Sequence, residues 1–440
     1  MLKALSHFFA DTWEKLTRTF WLFFRYLMSQ LGIQAMNFAT GLIIIRFMAK
    51  EEYAAYTIMN TLVPVMLMLS DTGITNALMA IGRVAWEDNE KMGRLVTTGM
   101  QLRRRFALVS FLIVGPFLAW MLFHNNVPIW SIALLMAASL TGISFQLTGA
   151  VMKTVLGIRQ QFDSLMQMGL ALALLRLVLI GGVILLFAHI SAFFAILAGT
   201  FSILLETYMA LRVTKPQIVC GAPIDTEYQA TIFSLVKKTL PLTVYFSFQS
   251  QISVWLISIF GSSHQVADLG AASRLAIIFT TIASSFAGIL AVKFARSNGR
   301  HRLFLQFVQI IAGLVVLLAG VVLFTYFVPD PFVWLLGPMY KNMRGLIWLV
   351  MLSSGTGSLA GTVFNLNTIK GWIPPAIVTI PIEIATQIVL LLCLDVSKLE
   401  NVLIFSGLSA IPPGIVLTIM LLRRIRMEPE DANAPAAPIT

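Results

Sequence analysis

Long apolar runs alternate with short polar gaps along the whole chain. The runs are about 20 to 28 residues long, enough for a helix to cross a hydrocarbon core of roughly 30 Å. The pattern predicts an all-α integral membrane protein with about twelve transmembrane helices. The predicted spans are 26–49, 53–82, 105–124, 128–155, 163–187, 190–212, 235–260, 264–292, 304–328, 344–367, 373–394 and 400–423.

Basic residues occupy every second gap between these runs. The gaps of one set hold 24 of the 31 Lys and Arg residues, whereas the alternate gaps hold five. Because cytoplasmic loops retain Lys and Arg, the basic set is predicted to face the cytoplasm. Both termini then lie in the cytoplasm, and the number of crossings is even.

The longest polar stretch between spans divides the chain into two groups of six predicted helices. We expect an amphipathic segment at 1–25, a first bundle at 26–212, a cytoplasmic linker at 213–234, and a second bundle at 235–424. The last residues, 425–440, are rich in Pro, Ala and acids and are expected to be disordered.

Composition narrows the function class. The chain is 58% hydrophobic and 12% charged, too apolar for a soluble protein of two or three domains. The net charge is +11, and the basic residues responsible for it lie in short loops at helix ends, where they meet anionic lipid headgroups. No nucleic-acid partner is therefore expected. The two cysteines form no disulfide framework. No motif predicts a cofactor, a metal site or ATP hydrolysis.

The two groups of helices are related by a shift of 213 positions. This shift places Leu62 on Leu275 and Arg83 on Arg296 without a gap. Since both halves begin on the cytoplasmic side, the relation is a parallel repeat about an axis along the membrane normal. Many secondary transporters have such repeats, with a substrate site near the midplane.

Two segments carry a family resemblance. Arg46-Phe-Met-Ala-Lys-Glu-Glu-Tyr53-Ala-Ala-Tyr56 resembles the first hairpin of polysaccharide flippases of the MATE/MOP superfamily, and Ala272-Ser-Arg274-Leu275 resembles the equivalent hairpin of their second half. The resemblance covers all twelve predicted spans. It implies an O-antigen-type, Wzx-like flippase of lipopolysaccharide or related polysaccharide biosynthesis, in the inner (plasma) membrane of a bacterium. The implied partners are a lipid-linked oligosaccharide, membrane lipids, a polysaccharide polymerase and other assembly proteins.

Charged residues inside the spans are few, and burying them is costly unless they are paired or hydrated. If Arg274, Arg176 and Arg46 face a wet cleft, their guanidinium groups can hold phosphate oxygens bidentately. The resemblance implies the matching substrate, a polyprenyl pyrophosphate carrying a glycan. The alternative is that the arginines pair with intramembrane acids and lock helices together.

Three acids, Glu383, Glu206 and Asp71, are candidates for carrying a coupling ion. For Glu383 and Glu206 the alternative is ion pairing. Asp71 stands in Ser-Asp-Thr-Gly, a sequence that favours a helix break at which Asp71 caps the next helix.

Polar side chains also form a stripe on one predicted helix face. Gln34 and Asn37 lie on one face of the first span, and Gln251 lies on a polar face of the seventh. Such stripes line a hydrated passage or join helices by hydrogen bonds, and the sequence leaves both interpretations open.

Alternating-access transport is therefore the predicted function, with no catalytic residue. A multidrug or small-molecule cation antiporter of the same superfamily is the first alternative. A membrane-embedded glycosyltransferase or polymerase is less favoured, because the outer gaps are short and contain neither a paired-acid motif nor a His cluster.

Overall fold

The structure is a computed structural model that describes Arg25 and residues 28–429, apart from positions 86, 188, 220, 298, 371 and 373. Most of the predicted amphipathic segment at 1–25 and the predicted tail from 430 onward lie outside the described residues. Every regular element in the described part is a helix.

The chain forms two compact units. The first unit comprises residues up to Glu52 together with Met59–Ser247, and the second comprises Tyr53–Ile58 and everything from Phe248 onward. The helices of the first part of the chain are α1 Met28–Phe47, α2 Lys50–Asp71, α3 Ile74–Ala85, α4 Asn89–His124, α5 Ile129–Ile158, α6 Phe162–Phe187, α7 Ala192–Thr214 and α8 Thr226–Gln249.

The second unit contains the remaining helices and one long 3-10 segment, Pro338–Gly345. Its helices are α9 Ile252–Phe260, α10 Ser263–Arg296, α11 Arg300–Phe327, α12 Asp330–Leu336, α13 Ile347–Ile369, α14 Ala376–Cys393, α15 Leu399–Ser409 and α16 Ile411–Met427.

Eleven stretches of the described chain are helical, long and apolar enough to cross a membrane. They correspond to eleven of the twelve predicted spans, although the second ends at Asp71 rather than at 82 and the third begins at Asn89 rather than at 105. The seventh, predicted as continuous over 235–260, differs because it is broken between α8 and α9, where Gln251 donates its backbone N–H back to the carbonyl of Phe248 at 3.1 Å. The multi-pass, all-α class is confirmed, whereas twelve crossings and the orientation of the termini stay predictions.

The predicted helix break after Asp71 is confirmed. The chain reverses the sign of φ at Thr72 and Gly73, which separates α2 from α3. Asp71 then accepts hydrogen bonds from the backbone N–H of Thr75 at 3.2 Å and from its hydroxyl at 2.7 Å. The carboxylate therefore satisfies donors of the first turn of α3.

The fourth and sixth spans of each half pack closely through small residues. In the first unit, Thr200 of α7 donates to the carbonyl of Ala138 on α5 at 3.2 Å, and Gly149 faces Thr207. In the second unit, Ser353 of α13 donates to the carbonyl of Leu403 on α15 at 2.8 Å. Interhelical hydrogen bonds of this kind hold helices together in lipid. Both bonds join the fourth and sixth spans of their half, and the repeat itself stays a prediction.

The linker after α7 packs against the first unit. Val219 donates its backbone N–H to the carbonyl of Asn89 at 3.1 Å, and Asp225 donates its backbone N–H to the hydroxyl oxygen of Thr98 at 3.0 Å. A Cβ at Gly93 would overlap the carbonyl oxygen of Val219, so only glycine permits this approach. The linker thus fixes the start of α8 on the first unit.

Candidate functional site

Arg274 lies in α10, eleven residues after the first residue of the helix, or about 17 Å along its axis. The start of α10 is fixed by a capping box in which the Ser262 hydroxyl and the Gln265 side chain each accept a backbone N–H of the other. The guanidinium is half-buried and donates hydrogen bonds to the hydroxyls of Tyr53 and Tyr56.

Both tyrosines belong to the short stretch 53–58, which is part of the second unit. Their side chains are 1% and 2% exposed, and their ring centroids lie 5.9 Å apart. The stretch approaches α10 closely, because a Cβ at Gly270 would overlap the side chain of Thr57. Close packing at Gly270 therefore places the two phenols beside Arg274.

A third tyrosine extends this group. Tyr340, in the 3-10 segment, is fully buried, and its ring meets that of Tyr53 edge-on at 6.4 Å. Burial raises the pKa of Tyr340 above its ordinary value, and nearby Tyr53 and Asp268 raise it further. Tyr340 therefore keeps its phenolic proton at physiological pH.

Asp268 lies six residues before Arg274 on α10. It is 3% exposed and accepts a hydrogen bond from the side-chain amide of Asn342 at 2.7 Å. Asn342 lies in the same 3-10 segment as Tyr340. We call Arg274 with the residues joined to it the Arg274 cluster; its other members are Tyr53, Tyr56, Tyr340, Asp268 and Asn342.

The Arg274 cluster is suited to anion recognition. The phenol groups that hold Arg274 are uncharged donors and acceptors, so they orient the guanidinium without cancelling its charge. A planar guanidinium in a partly desolvated position forms strong, charge-assisted bonds with phosphate oxygens. The arrangement can bind an anion, and no catalytic nucleophile is part of it.

The other predicted substrate-binding residues lie on α1, on α6 and just before α9. Arg46, Gln34 and Asn37 are exposed on α1, at its end and along one face. Arg176 is half-buried on α6, with Nε 3.9 Å from the point where a Cβ at Gly199 of α7 would lie. In the second unit, Gln251 precedes α9 and donates to the Ser250 hydroxyl at 3.3 Å. Their roles in binding stay predictions.

Two of the three candidate coupling acids lie in ion pairs. Asp71 is 2.6 Å from the guanidinium of Arg103, whose side chain is 7% exposed. Glu206 is buried on α7 and lies 2.9 Å from the ammonium of Lys153 on α5. Glu383 is half-buried on α14. Coupling roles for all three stay predictions, but Asp71 and Glu206 also have structural roles.

Sequence reasoning did not single out Arg103, Asp268 or Tyr340 as part of a site. The predicted third span begins at 105 and so leaves Arg103 in the polar gap before it, yet α4 begins at Asn89, where the Asp88 side chain caps the helix by accepting from the N–H groups of Glu90 and Lys91. An N-cap aspartate at Asp88 was the available signal for the longer helix. Among the described residues, no group of three or more His, Cys, Asp or Glu could hold a metal ion.

No protein-family model matches the chain, and no curated protein matches it either. Solved structures do match over nearly the whole length. The lipid II flippase MurJ, in an inward closed conformation, superposes with a TM-score of 0.72 at 11% identity, covering 91% of this chain and 90% of that one. The chain has the MATE/MurJ fold.

Two further structures agree. A multidrug resistance MATE family transporter of the MOP superfamily, in an inward-facing conformation, gives a TM-score of 0.68 at 13% identity, over 89% of this chain and 94% of that one. A mutant MATE transporter of Vibrio cholerae gives 0.60 at 14% identity, over 92% and 96%. At these identities the likeness establishes the all-helical membrane fold, as the sequence resemblance predicted. It does not identify the substrate, which has to be argued from the residues of the site.

Proposed function

We propose that this protein is a flippase that moves a polyprenyl-pyrophosphate-linked glycan across the bacterial inner membrane by alternating access. The fold supports a transporter of the MOP type. The observation that carries the choice of substrate is Arg274, an intramembrane arginine held by the hydroxyls of Tyr53 and Tyr56.

The proposed role of Arg274 follows from the chemistry of its partners. A pyrophosphate needs a cationic, planar donor that keeps its charge inside the membrane. Because the phenols are neutral, they can exchange hydrogen bonds with an arriving anion at small electrostatic cost. Tyr53 and Tyr56 would position the guanidinium, and the anion would replace part of their contacts.

A multidrug antiporter is the second candidate, favoured by the several MATE transporters among the similar structures. A cationic drug requires an accessible carboxylate, and Asp71, one of the intramembrane acids, lies in an ion pair with Arg103. Anion recognition at Arg274 is therefore better supported.

The test compares Arg274→Lys and Arg274→Ala with wild type in a strain that lacks its own flippase. Both variants are expected to lose surface polysaccharide at normal protein levels, because a lysine ammonium does not reproduce the bidentate fork. Arg344→Lys is the matched control: Arg344 is exposed and pairs with Asp330 at 2.9 Å, so its replacement is expected to be silent.

Binding distinguishes transport from folding. Purified Arg274→Lys is expected to bind a pyrophosphate-headed lipid at least tenfold more weakly than wild type, with an unchanged Tm. Normal polysaccharide from Arg274→Ala would overturn the substrate assignment. Efflux of a cationic dye by wild type, without any polysaccharide synthesis, would favour the multidrug alternative.

A further inference from the structure

The second unit contains an apolar groove that the Arg274 cluster does not use. It has a volume of about 370 Å³ and is lined by α11, α13 and α16. Representative lining residues are Phe307, Ile311, Ala360, Gly414, Ile415 and Thr418. Ile415 is 54% exposed, so the groove is open at the surface of the second unit.

The hydroxyls of the two threonines in the lining are bonded within their own helices. Thr356 donates its hydroxyl to the carbonyl of Ser353 at 2.8 Å, and Thr418 donates to the carbonyl of Gly414 at 2.8 Å. These hydroxyls are satisfied within their own helices, as in lipid-facing helices. The lining therefore suits a hydrocarbon chain.

The groove is long enough to hold part of a hydrocarbon chain. Along α16 the lining extends from Ala410 to Ile419, about 14 Å at the helical rise. Which lipid occupies this length follows from the proposed function and from the charges at one end of the groove.

Each of the three lining helices places one basic residue on the groove stripe at the same end. Arg300 precedes Phe307 by seven residues on α11, Lys370 follows Val363 by seven after α13, and Arg426 follows Ile419 by seven on α16. A separation of seven residues is close to two turns, so each base lies on the face that lines the groove.

Two hydrogen bonds bring these helix ends together. Arg300 donates its backbone N–H to the carbonyl of Pro429, just beyond α16, at 3.1 Å. Lys370 donates its ammonium to the carbonyl of Ser297, just before α11, at 2.5 Å. In the part of the chain that the structure describes, Glu428 lies near Lys370, so one acid accompanies the three bases at this end.

We propose that the α11/α13/α16 groove is a loading site for the isoprenoid lipid carrier, with its phosphate at Arg300, Lys370 and Arg426 and its chain in the groove. The phosphate lies about two helical turns, roughly 11 Å, from the apolar lining. This inference rests on the proposed function for the identity of the lipid, and it adds a second lipid contact besides Arg274.

The test measures binding of a long-chain polyprenyl phosphate to the purified protein in nanodiscs by native mass spectrometry. Arg300→Gln and Arg426→Gln are each expected to weaken binding about fivefold, the usual effect of one basic residue on an anionic lipid. Arg302→Gln and Arg424→Gln are matched controls, since both arginines are exposed at the same helix ends but off the groove stripe; each is expected to change binding less than twofold.

A second pair of variants tests the groove itself. Ile415→Trp fills the groove from its exposed rim and is expected to reduce binding at least fivefold, whereas Ile388→Trp, at a similarly exposed site on α14, is not. Unchanged binding in Ile415→Trp, or equal competition by two-chain phosphatidylglycerol, would overturn the proposal.

Failure of this site and failure of the proposed function give different results. Arg274→Lys is expected to keep groove binding of polyprenyl phosphate. Glycan transport with no effect of the groove variants on lipid binding would refute only the loading site. Groove-dependent binding in a protein that moves no glycan would refute only the proposed function.

Discussion

The Asp71–Arg103 pair allows a quantitative test of whether Asp71 is structural or carries a coupling ion. The perturbations are Asp71→Asn, Arg103→Met and the double variant. Asparagine keeps an oxygen that can accept the N–H of Thr75, so Asp71→Asn removes the charge and preserves the cap. The series therefore isolates the ion pair.

The two single variants are expected to lose different amounts of folding stability. Asp71→Asn leaves Arg103, 7% exposed and permanently protonated, without its carboxylate, and breaking a buried pair in this way costs about 3–5 kcal/mol. Arg103→Met leaves Asp71, which is 29% exposed and keeps its bonds to Thr75. That loss is about 1–3 kcal/mol. Because an apolar replacement of both partners is often neutral, the double variant is expected to recover most of the stability.

Thermal unfolding in detergent measures the ranking, with Asp71→Asn lowest, Arg103→Met intermediate and the double variant near wild type. Transport is measured on the double variant, which is expected to stay active. An Asp71→Asn protein as stable as wild type would refute the electrostatic reasoning. A stable double variant that no longer transports would instead assign Asp71 to coupling.

Two further predictions address packing and topology. Gly270→Ala is expected to cost about 1–3 kcal/mol of stability because the added methyl group overlaps Thr57, and adding Thr57→Ala to the same protein is expected to restore the Tm. Gly320→Ala, which has open space around it, is expected to leave the Tm unchanged. A normal Tm for Gly270→Ala would show that residues 53–58 do not pack on α10. In a background with Cys220→Ser and Cys393→Ser, cysteines at Ser262 and Ser397 are expected to react with an impermeant thiol reagent from outside, and those at Glu227 and Arg302 are not; the reverse labelling would invert the predicted orientation.

Much of the fold follows from the sequence because its signals are local. Apolar length locates eleven of the spans, and the Ser-Asp-Thr-Gly sequence locates the break before α3. The seventh span shows the limit of this reasoning. Its length and composition match a single crossing, but the break at Gln251 depends on which backbone groups pair around a polar Gln-Ser-Gln stretch, and apolar content does not report that.

The candidate site was less predictable because its contacts join distant parts of the chain. Arg274 was recognised as an intramembrane charge, but its partners Tyr53 and Tyr56 come from α2, and their proximity depends on the close approach at Gly270. Likewise, Lys153 and Glu206 are 53 residues apart and meet through the packing of α5 on α7. A sequence lists its charges, whereas helix packing decides which of them pair.

The partners of the intramembrane bases are of two chemical kinds. Arg103 and Lys153 each face a carboxylate, so the electrostatic field beyond each pair is small and an approaching anion gains little from either. Arg274 is held by the phenols of Tyr53 and Tyr56, while the acid of its cluster, Asp268, accepts a hydrogen bond from Asn342. Holding an arginine through phenols costs desolvation energy without the return of a direct ion pair, and a bound anion would recover that energy. An acid at Tyr53 or Tyr56 would lock the helices more strongly, so the tyrosines agree better with the proposed anion site than with helix locking alone.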